Sequence, residues 1–258
     1  MRRFFALLLL GFCALPAAGR DQEPAASTKK RIFAVGGWRT PKEALPLLRF
    51  FIGLTGKPNP KVCLLPTASG DSAESIVAYY DIMNQLECRP RHLRLFQPSR
   101  VDDFEAVLMD MDAIYVGGGN TLNMLAIWKA HGIDKVLQKA LNKGIVLGGA
   151  SSGMICWFEQ GCSDFKPGKL SALDGLGWLP GSACPHYDLE KRRTAYADLV
   201  LAGDLKEGIA CEEGVGALYE DGKRTRVVSS LPKARAHSLR RVDGRIETSP
   251  LEPEVLGN

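Results

Sequence analysis

The sequence predicts an α/β fold in which a mostly parallel sheet is flanked by helices on both faces. Short apolar runs that stop at glycine or proline alternate with longer amphipathic stretches. Two of the runs, DAIYVGGG (112–119) and GIVLGG (144–149), are almost entirely apolar, as is typical of parallel strands covered on both faces. The regular alternation of strand and helix indicates a doubly wound sheet.

The elements can be assigned in chain order. The predicted strands are RIFAVGG (31–37), KVCLLPT (61–67), the more weakly alternating RHLRLF (91–96), and the two apolar runs. The predicted helices are PKEALPLLRFFIGLTG (41–56), SAESIVAYYDIMNQLE (72–87) and IDKVLQKALNKG (133–144). Beyond residue 205 short strands and the turns Glu-Asp-Gly (220–222) and Val-Asp-Gly (242–244) predict hairpins at one edge of the sheet. Residues 31–258 are therefore expected to form a single domain.

The first residues have the layout of a secretory signal peptide. Two arginines precede an apolar run at 4–15, and small residues at 17–19 follow it. We expect cleavage after Gly19, with residues 20–30 as a flexible lead-in. The apolar run is too short for a membrane span of about 20 residues. The mature protein is therefore expected to be secreted or periplasmic in a bacterium, without membrane contact.

Composition narrows the classes of partner. The chain is 45% hydrophobic and 24% charged, which is typical of a globular protein. Its formal net charge of +4 includes two arginines in the leader, so the mature chain is only weakly basic, and nucleic acid is not expected as a partner. The six cysteines outside the leader form no C-x-x-C pair, so no zinc site is expected. We expect no metal and no organic cofactor.

Ser151 is the candidate nucleophile. It stands in Gly149-Ala150-Ser151-Ser152-Gly153, a G-x-S-x-G pattern that follows an apolar strand and precedes an apolar, helix-like segment. A tight strand–helix turn exposes the central hydroxyl, and the amide of Ser152 would then serve as one oxyanion donor. A phosphate-binding turn or a plain tight crossing has a similar composition, so the pattern counts only together with a base and an acid.

The triple glycine Gly117–Gly119 supplies a second functional turn. It follows a predicted strand, and the Asn120-Thr121 pair can cap the helix after it. Bare backbone amides in such a turn can bind an oxyanion or a carboxylate. The lysine and spacing of nucleotide-phosphate loops are missing, which favours the oxyanion role.

A serine nucleophile needs a base, and the chain has four histidines. His186, in GSACPHYD, follows a run of small residues and a proline and is predicted to lie at the carboxyl end of a strand. His92, His131 and His237 fall in less suitable positions. For the carboxylate that orients the imidazole, composition leaves Asp164, Asp188, Glu212 and Glu213 open, with Asp188 favoured as a helix cap.

Three segments together resemble the dipeptidase E family of serine peptidases, which includes aspartyl dipeptidase and cyanophycinase. They are AIYVGGGNTLNML (113–125), GASSGMICWFEQGCSD (149–164) and LDGLGWLPGSACPHYD (173–188). The resemblance implies a class I glutamine amidotransferase-like fold. It assigns Ser151 as the nucleophile, His186 as the base and Gly118 to the oxyanion loop. For the acid it implies Glu213, with Asp164 as the alternative. Ser152 stands where that family usually has alanine.

The sequence therefore predicts a serine exopeptidase that acts on short peptides, including those that begin with aspartate. Asn120, Arg192 and Arg193 are the candidate substrate-binding residues, the two arginines because a guanidinium pairs well with a carboxylate. Two alternatives remain. One is an esterase or amidase of another specificity, with His237 as base. The other is an inactive amidotransferase-like binding protein. The oligomeric state, the disulfide pairing and the peptide preference are left open.

Overall fold

The structure, a computed structural model, describes residues 28–96 and 103–257. The predicted signal peptide and most of the predicted lead-in lie outside these residues. The strands are β1 (Arg31–Val35), β2 (Lys61–Leu65), β3 (Arg89–His92), β4 (Ala113–Val116), β5 (Val146–Ala150), β6 (Phe158–Lys166), β7 (Lys169–Asp174), β8 (Leu179–Cys184), β9 (Gly208–Cys211), β10 (Val215–Glu220), β11 (Lys223–Ser229), β12 (Ala236–Val242), β13 (Arg245–Leu251) and β14 (Glu254–Val255). The helices are α1 (Pro41–Gly53), α2 (Ala73–Met83), α3 (Phe104–Met109), α4 (Thr121–His131), α5 (Ile133–Asn142), α6 (Ser152–Ile155) and α7 (Glu190–Ala202).

The main sheet has eight strands in the order β14-β11-β10-β1-β5-β4-β2-β3. Strands β1 to β5 run parallel to one another, and β10 joins β1 in the antiparallel sense. Helices α1 and α2 cover one face through Leu47, Phe51 and Ile82, whereas α4 and α5 cover the other through Trp128 and Leu137. The predicted fold class, a mostly parallel sheet with helices on both faces, is confirmed.

A second sheet, in the order β13-β12-β9-β8-β6-β7, was not predicted. It also changes the placement of the predicted hairpins. The β10–β11 hairpin belongs to the main sheet and the β12–β13 hairpin to the second, so the prediction of one common edge was wrong. Both turns have positive φ at Asp and Gly, 51° and 77° at Asp221 and Gly222, which is the geometry that twists two strands into a hairpin.

The two sheets share an apolar core. Leu147 and Val116 of the main sheet belong to the same buried cluster as Ala183, Ile209 and Cys211 of the second. Close packing of this kind leaves little room for one element to move relative to another. The carboxyl ends of β5, β8 and β9 are therefore held in a fixed relation, and the functional candidates lie just beyond those ends.

No helix within residues 28–96 and 103–257 is long and apolar enough to cross a membrane.

Candidate active site

The turn at Ser151 holds its backbone in a sparsely populated conformation, with φ 58° and ψ −111°. Strand β5 ends at Ala150, and the Ser151 amide donates to the carbonyl of Val35 on β1 at 3.1 Å. The flanking glycines permit the turn, because a Cβ at Gly149 would lie 2.5 Å from the carbonyl oxygen of Val116, and one at Gly153 would clash with the same atom. The helix after the turn, α6, is only four residues long.

Ser151, His186 and Glu213 form a continuous set of hydrogen-bonded side chains. The Oγ of Ser151 lies 2.9 Å from Nε2 of His186, and Nδ1 of His186 lies 2.7 Å from Oε1 of Glu213. A carboxylate only accepts hydrogen bonds, so Nδ1 carries the proton and Nε2 is left to accept the serine hydroxyl. The side chains of His186 and Glu213 are 21% and 11% exposed, so the histidine is reachable while the acid is nearly enclosed.

His186 and Glu213 both extend from the second sheet. His186 follows β8 and Pro185, and its φ of 53° turns the ring towards Ser151. Glu213 follows β9 at the point where the chain leaves the second sheet for β10. The Tyr187 amide donates to the Cys211 carbonyl at 3.0 Å and joins the two turns. The His186–Glu213 pair is thus built on one sheet and Ser151 on the other.

Gly37, which was not among the predicted site residues, lies against the dyad. Its φ is +146°, and a Cβ there would lie 2.5 Å from Cε1 of His186, 2.7 Å from Nδ1 and 2.9 Å from Oε2 of Glu213. The Gly37 carbonyl also accepts from the Gly214 amide at 2.8 Å. A residue with a side chain could not occupy this position while the dyad keeps its geometry. The Gly36-Gly37 pair after β1 was the available sequence signal.

Asp188, which is paired with Arg39, binds the backbone amide of Glu213. Oδ1 of Asp188 accepts from the Glu213 amide at 3.1 Å, and Oδ2 forms an ion pair with Nη2 of Arg39. The sequence favoured a helix cap for Asp188, but the structure directs its carboxylate to the turn of Glu213. A cavity of about 460 Å³ opens beside this group and is also lined by Lys233 and Leu231.

The other candidate acids have different partners. Asp164 is 58% exposed and pairs with Nη2 of Arg192 at 2.9 Å. Glu212 lies 3.0 Å from Nε2 of His237 and also accepts from the Arg235 amide. Among these carboxylates, the structure brings Glu213 to His186. His237, the base that an esterase or amidase was predicted to use, is engaged with Glu212.

The glycine turn before α4 approaches the nucleophile closely. A Cβ at Gly118 would lie 3.1 Å from Cβ and 3.5 Å from Oγ of Ser151. Within the part of the chain that the structure describes, the Gly118 amide donates to no backbone or side-chain acceptor. The Ser152 amide is likewise unused, as expected for the first residue of a helix. The Gly119 amide is also unused, so Gly118 and Ser152 are two of the residues next to Ser151 that have a free amide.

The hydroxyl of Ser152 points away from His186. Its Oγ donates to the carbonyl oxygen of Gly119 at 2.6 Å and accepts from Oγ1 of Thr121 at 3.0 Å. The residue is 2% exposed. It therefore does not compete with Ser151 for the base.

The three predicted substrate-binding residues all have partners within the protein. Arg192 is 4% exposed and binds the Cys162 carbonyl as well as Asp164. Arg193 donates to the backbone carbonyls of residues 187 and 188. Asn120 caps α4 by accepting from the Asn123 amide, and its Nδ2 donates to the Phe165 carbonyl at 3.4 Å. Their role towards a substrate stays a prediction, and the geometry gives each of them a structural task.

Two of the buried cysteines are unsuited to act as a second nucleophile. All six in the described residues are free thiols. Burial raises the pKa of Cys63 and of Cys211 to about 12, so both are protonated at neutral pH. No group of three or more His, Cys, Asp or Glu side chains within residues 28–96 and 103–257 is arranged to hold a metal ion. The nucleophile that the site offers is the hydroxyl of Ser151.

The chain is similar in sequence or in fold to several proteins described as peptidases. The uncharacterized peptidase YgaJ from Bacillus subtilis (strain 168) is 40% identical to this chain over 231 residues, which is 88% of this chain and all of that protein. Peptidase E from Streptomyces coelicolor is 32% identical over 84 residues, 32% of this chain and 35% of that protein. The crystal structure of a peptidase from an acI-B1 Actinobacterium superposes with a TM-score of 0.63 at 16% identity, covering 87% of this chain and 98% of the other.

The family comparison covers the site as well. The model of peptidase family S51 matches residues 32–228, a range that includes Ser151, His186 and Glu213. The extent of this match, together with the full-length similarity to the Bacillus peptidase, agrees with the resemblance found in the sequence. The chain belongs to peptidase family S51 and is a serine-type peptidase.

Proposed function

We propose that this peptidase is an exopeptidase of the dipeptidase E type, which hydrolyses short peptides through a Ser151–His186–Glu213 triad and an acyl-enzyme. The observation that carries the proposal is the pair of contacts at 2.9 and 2.7 Å, which links the serine hydroxyl through the imidazole to a nearly enclosed carboxylate. Nucleophile, base and orienting acid in this order define a serine hydrolase site irrespective of the fold that carries them.

In the first half-reaction, Oγ of Ser151 attacks the scissile carbonyl carbon while Nε2 of His186 takes the hydroxyl proton. The carbonyl oxygen becomes an oxyanion, which the amides of Gly118 and Ser152 bind. The intermediate collapses, and the leaving amine departs with the proton from Nε2. A water molecule then repeats the sequence on the ester and releases Ser151. Glu213 keeps the imidazole in the required tautomer and stabilises its charged form in both halves.

Peptides that begin with aspartate are the first substrates to test, because aspartyl dipeptidase belongs to the family that the motifs resemble. Arg192 is buried against Asp164, so it is a weak choice for an acidic substrate group. Arg39, with 59% of its side chain exposed, and Lys233 both border the cavity beside Glu213. These two cations are the alternatives that the geometry offers.

The test is hydrolysis of a dipeptide panel that includes Asp-Leu and Ala-Leu, by the unmutated mature protein and by Ser151→Ala. Cleavage of Asp-Leu that is lost in the variant supports both the nucleophile and the acidic preference. Cleavage of Ala-Leu alone removes that preference. No cleavage of any dipeptide, together with labelling of Ser151 by a fluorophosphonate, indicates an amidase or esterase of another specificity. Absence of labelling at Ser151 indicates an inactive binding protein.

We also propose export, on the basis of the arginine pair, the apolar run and the small residues at 17–19. Expression of the full chain in a bacterium, followed by fractionation and N-terminal sequencing, tests it. A mature form outside the cytoplasm that begins at Arg20 supports export. An intact N-terminus in the cytoplasm contradicts it.

A further inference from the structure

Three buried hydroxyls form a directed chain of hydrogen bonds that ends at the glycine turn. Oγ of Ser163 donates to Oγ1 of Thr121 at 3.3 Å, Thr121 donates to Oγ of Ser152 at 3.0 Å, and Ser152 donates to the Gly119 carbonyl at 2.6 Å. Thr121 and Ser163 are each 1% exposed, and Ser152 is 2% exposed. A hydroxyl both donates and accepts, so each link polarises the next one.

This chain ends at the Gly119 carbonyl, one residue after Gly118, whose Cβ position would lie 3.1 Å from Cβ of Ser151. The turn is also anchored by backbone contacts, because the Gly117 amide donates to Leu65 at 3.1 Å and the Asn120 amide donates to Ala68 at 2.8 Å. Between those anchors, the described residues offer no acceptor to the amide of Gly118 or of Gly119. The Ser152 hydroxyl joins the turn to the start of α6, and the Ser152 amide is also unused.

We propose that Ser152 and Thr121 are positioning residues that hold the amides of Gly118 and Ser152 at a fixed separation, so that both can bind the oxyanion at once. Ser152 thereby offers its amide to the reacting oxygen, while its hydroxyl holds the Gly119 carbonyl, one residue after the opposite donor Gly118. Ser163 completes the chain and fixes the Thr121 hydroxyl. The inference rests on the proposed function, because it assigns these amides to an oxyanion.

The contacts of the Ser152 hydroxyl give it this role and keep it from interfering with the base. A second hydroxyl next to the nucleophile could have competed for His186. It is instead bonded on both sides by groups of the glycine turn and α4, and its shortest contact is to the turn. The serine therefore replaces the alanine usual in similar proteins with a cross-link between the two oxyanion donors.

Thr121→Val and Thr121→Ser are the matched pair that tests the inference. Valine keeps the shape and removes the hydroxyl, whereas serine keeps the hydroxyl and removes only a methyl group. Loss of one complete oxyanion donor costs roughly 100- to 1,000-fold in kcat, so a misplaced donor is expected to cost about 10-fold. We expect Thr121→Val to lower kcat about 10-fold with KM little changed, and Thr121→Ser to stay within about 2-fold of the unmutated protein.

Two further readouts separate positioning from stability. The rate at which a fluorophosphonate labels Ser151 should fall by a similar factor in Thr121→Val, because its phosphoryl oxygen occupies the same donors. Ser182→Ala removes another buried hydroxyl, which is bonded to the Lys206 carbonyl and to Tyr196. It should lower the melting temperature without changing either rate. Ser152→Ala should lower both rates at least as much as Thr121→Val.

The outcomes distinguish the two proposals. If the unmutated protein is not labelled at Ser151, the proposed function fails and this inference fails with it. If it is labelled and active, but folded Thr121→Val and Ser152→Ala match it in both rates, only the positioning role is overturned. Equal losses in Thr121→Val and Thr121→Ser would also overturn it, because the hydroxyl would then not be the cause.

Discussion

Replacing Gly37 with alanine should disable the site while the protein remains folded. A Cβ at this position would lie 2.5 Å from Cε1 of His186, whereas ordinary contacts begin at 3.4 Å. Backbone contacts hold Gly37 in place, so the imidazole must move by about 0.9 Å or Glu213 must rotate away. A misplacement of about 1 Å costs on the order of 100-fold in rate. We therefore expect kcat of Gly37→Ala to fall about 100-fold.

A second glycine provides the control for backbone strain. Alanine at φ +146° costs on the order of 1–3 kcal/mol of stability whatever surrounds it. Gly56 also has a positive φ, +64°, but a Cβ there would meet nothing within 4 Å. Gly56→Ala should therefore lose stability in the same range and keep its activity. Because both are glycine-to-alanine changes, the activity difference isolates the contact with the dyad.

The assay is dipeptide hydrolysis together with the rate of fluorophosphonate labelling, at a temperature where both variants are fully folded by circular dichroism. Labelling depends on the serine–histidine contact and not on the peptide preference. The reasoning is refuted if folded Gly37→Ala labels and hydrolyses within about 3-fold of the unmutated protein, because the site would then tolerate the displacement. Equal losses in Gly37→Ala and Gly56→Ala would instead assign the effect to strain.

Three other predictions test the same description of the molecule. Glu213→Gln should lower kcat by about 10⁴-fold, because an amide in place of the acid favours the wrong tautomer of the base. The kcat of Asp164→Asn and of Glu212→Gln should stay within about 10-fold of the unmutated protein. Steady-state kinetics of the three variants would show if another carboxylate orients the base. Asp188→Asn should lower kcat by a smaller factor than Glu213→Gln and leave KM nearly unchanged, since it weakens the ion pair with Arg39 and the support of the Glu213 amide but leaves the Glu213 carboxylate in place. An unchanged pH–rate profile and kcat would contradict a positioning role. Burial raises the pKa of the Cys63 thiol from 9.0 to about 12, so the unfolded chain loses this proton first as pH rises. The free energy of unfolding should therefore fall between pH 9 and 12. Urea titrations of Cys63→Ala should show a smaller fall.

The meeting of Ser151 and His186 could be predicted because the signals for these two residues are local. Ser151 depends on the glycines within two positions of it, and His186 on the run of small residues and the proline before it. Both signals concern a few consecutive residues at the end of one strand. The parallel core of the main sheet could be predicted for the same reason, since β4 and β5 are continuous apolar runs.

The choice of acid needed contacts that local sequence does not contain. Glu212 and Glu213 are consecutive, and their side chains point to different partners: one to His237 and the other to His186. Which of them faces the base depends on how the chain passes from β9 to β10, and so on the second sheet. Short strands were expected beyond residue 205, but the second sheet was missed because β6, whose burial alternates irregularly, carries no clear period.

The position of Glu213 explains why contacts from both sheets meet at this residue. The residue sits at the crossing between the two sheets, since β9 before it belongs to the second sheet and β10 after it to the main sheet. The Gly214 amide is bonded to Gly37 at the end of β1, and the Glu213 amide is bonded to Asp188 beyond β8. The nucleophile turn is bonded to β1 as well, through the Ser151 amide and Val35. Both the turn of Glu213 and the turn of Ser151 are thus bonded to the end of β1, the first through Gly37 and the second through Val35. A change at Gly37 should therefore disturb Glu213 and His186 while leaving the backbone of Ser151 in place.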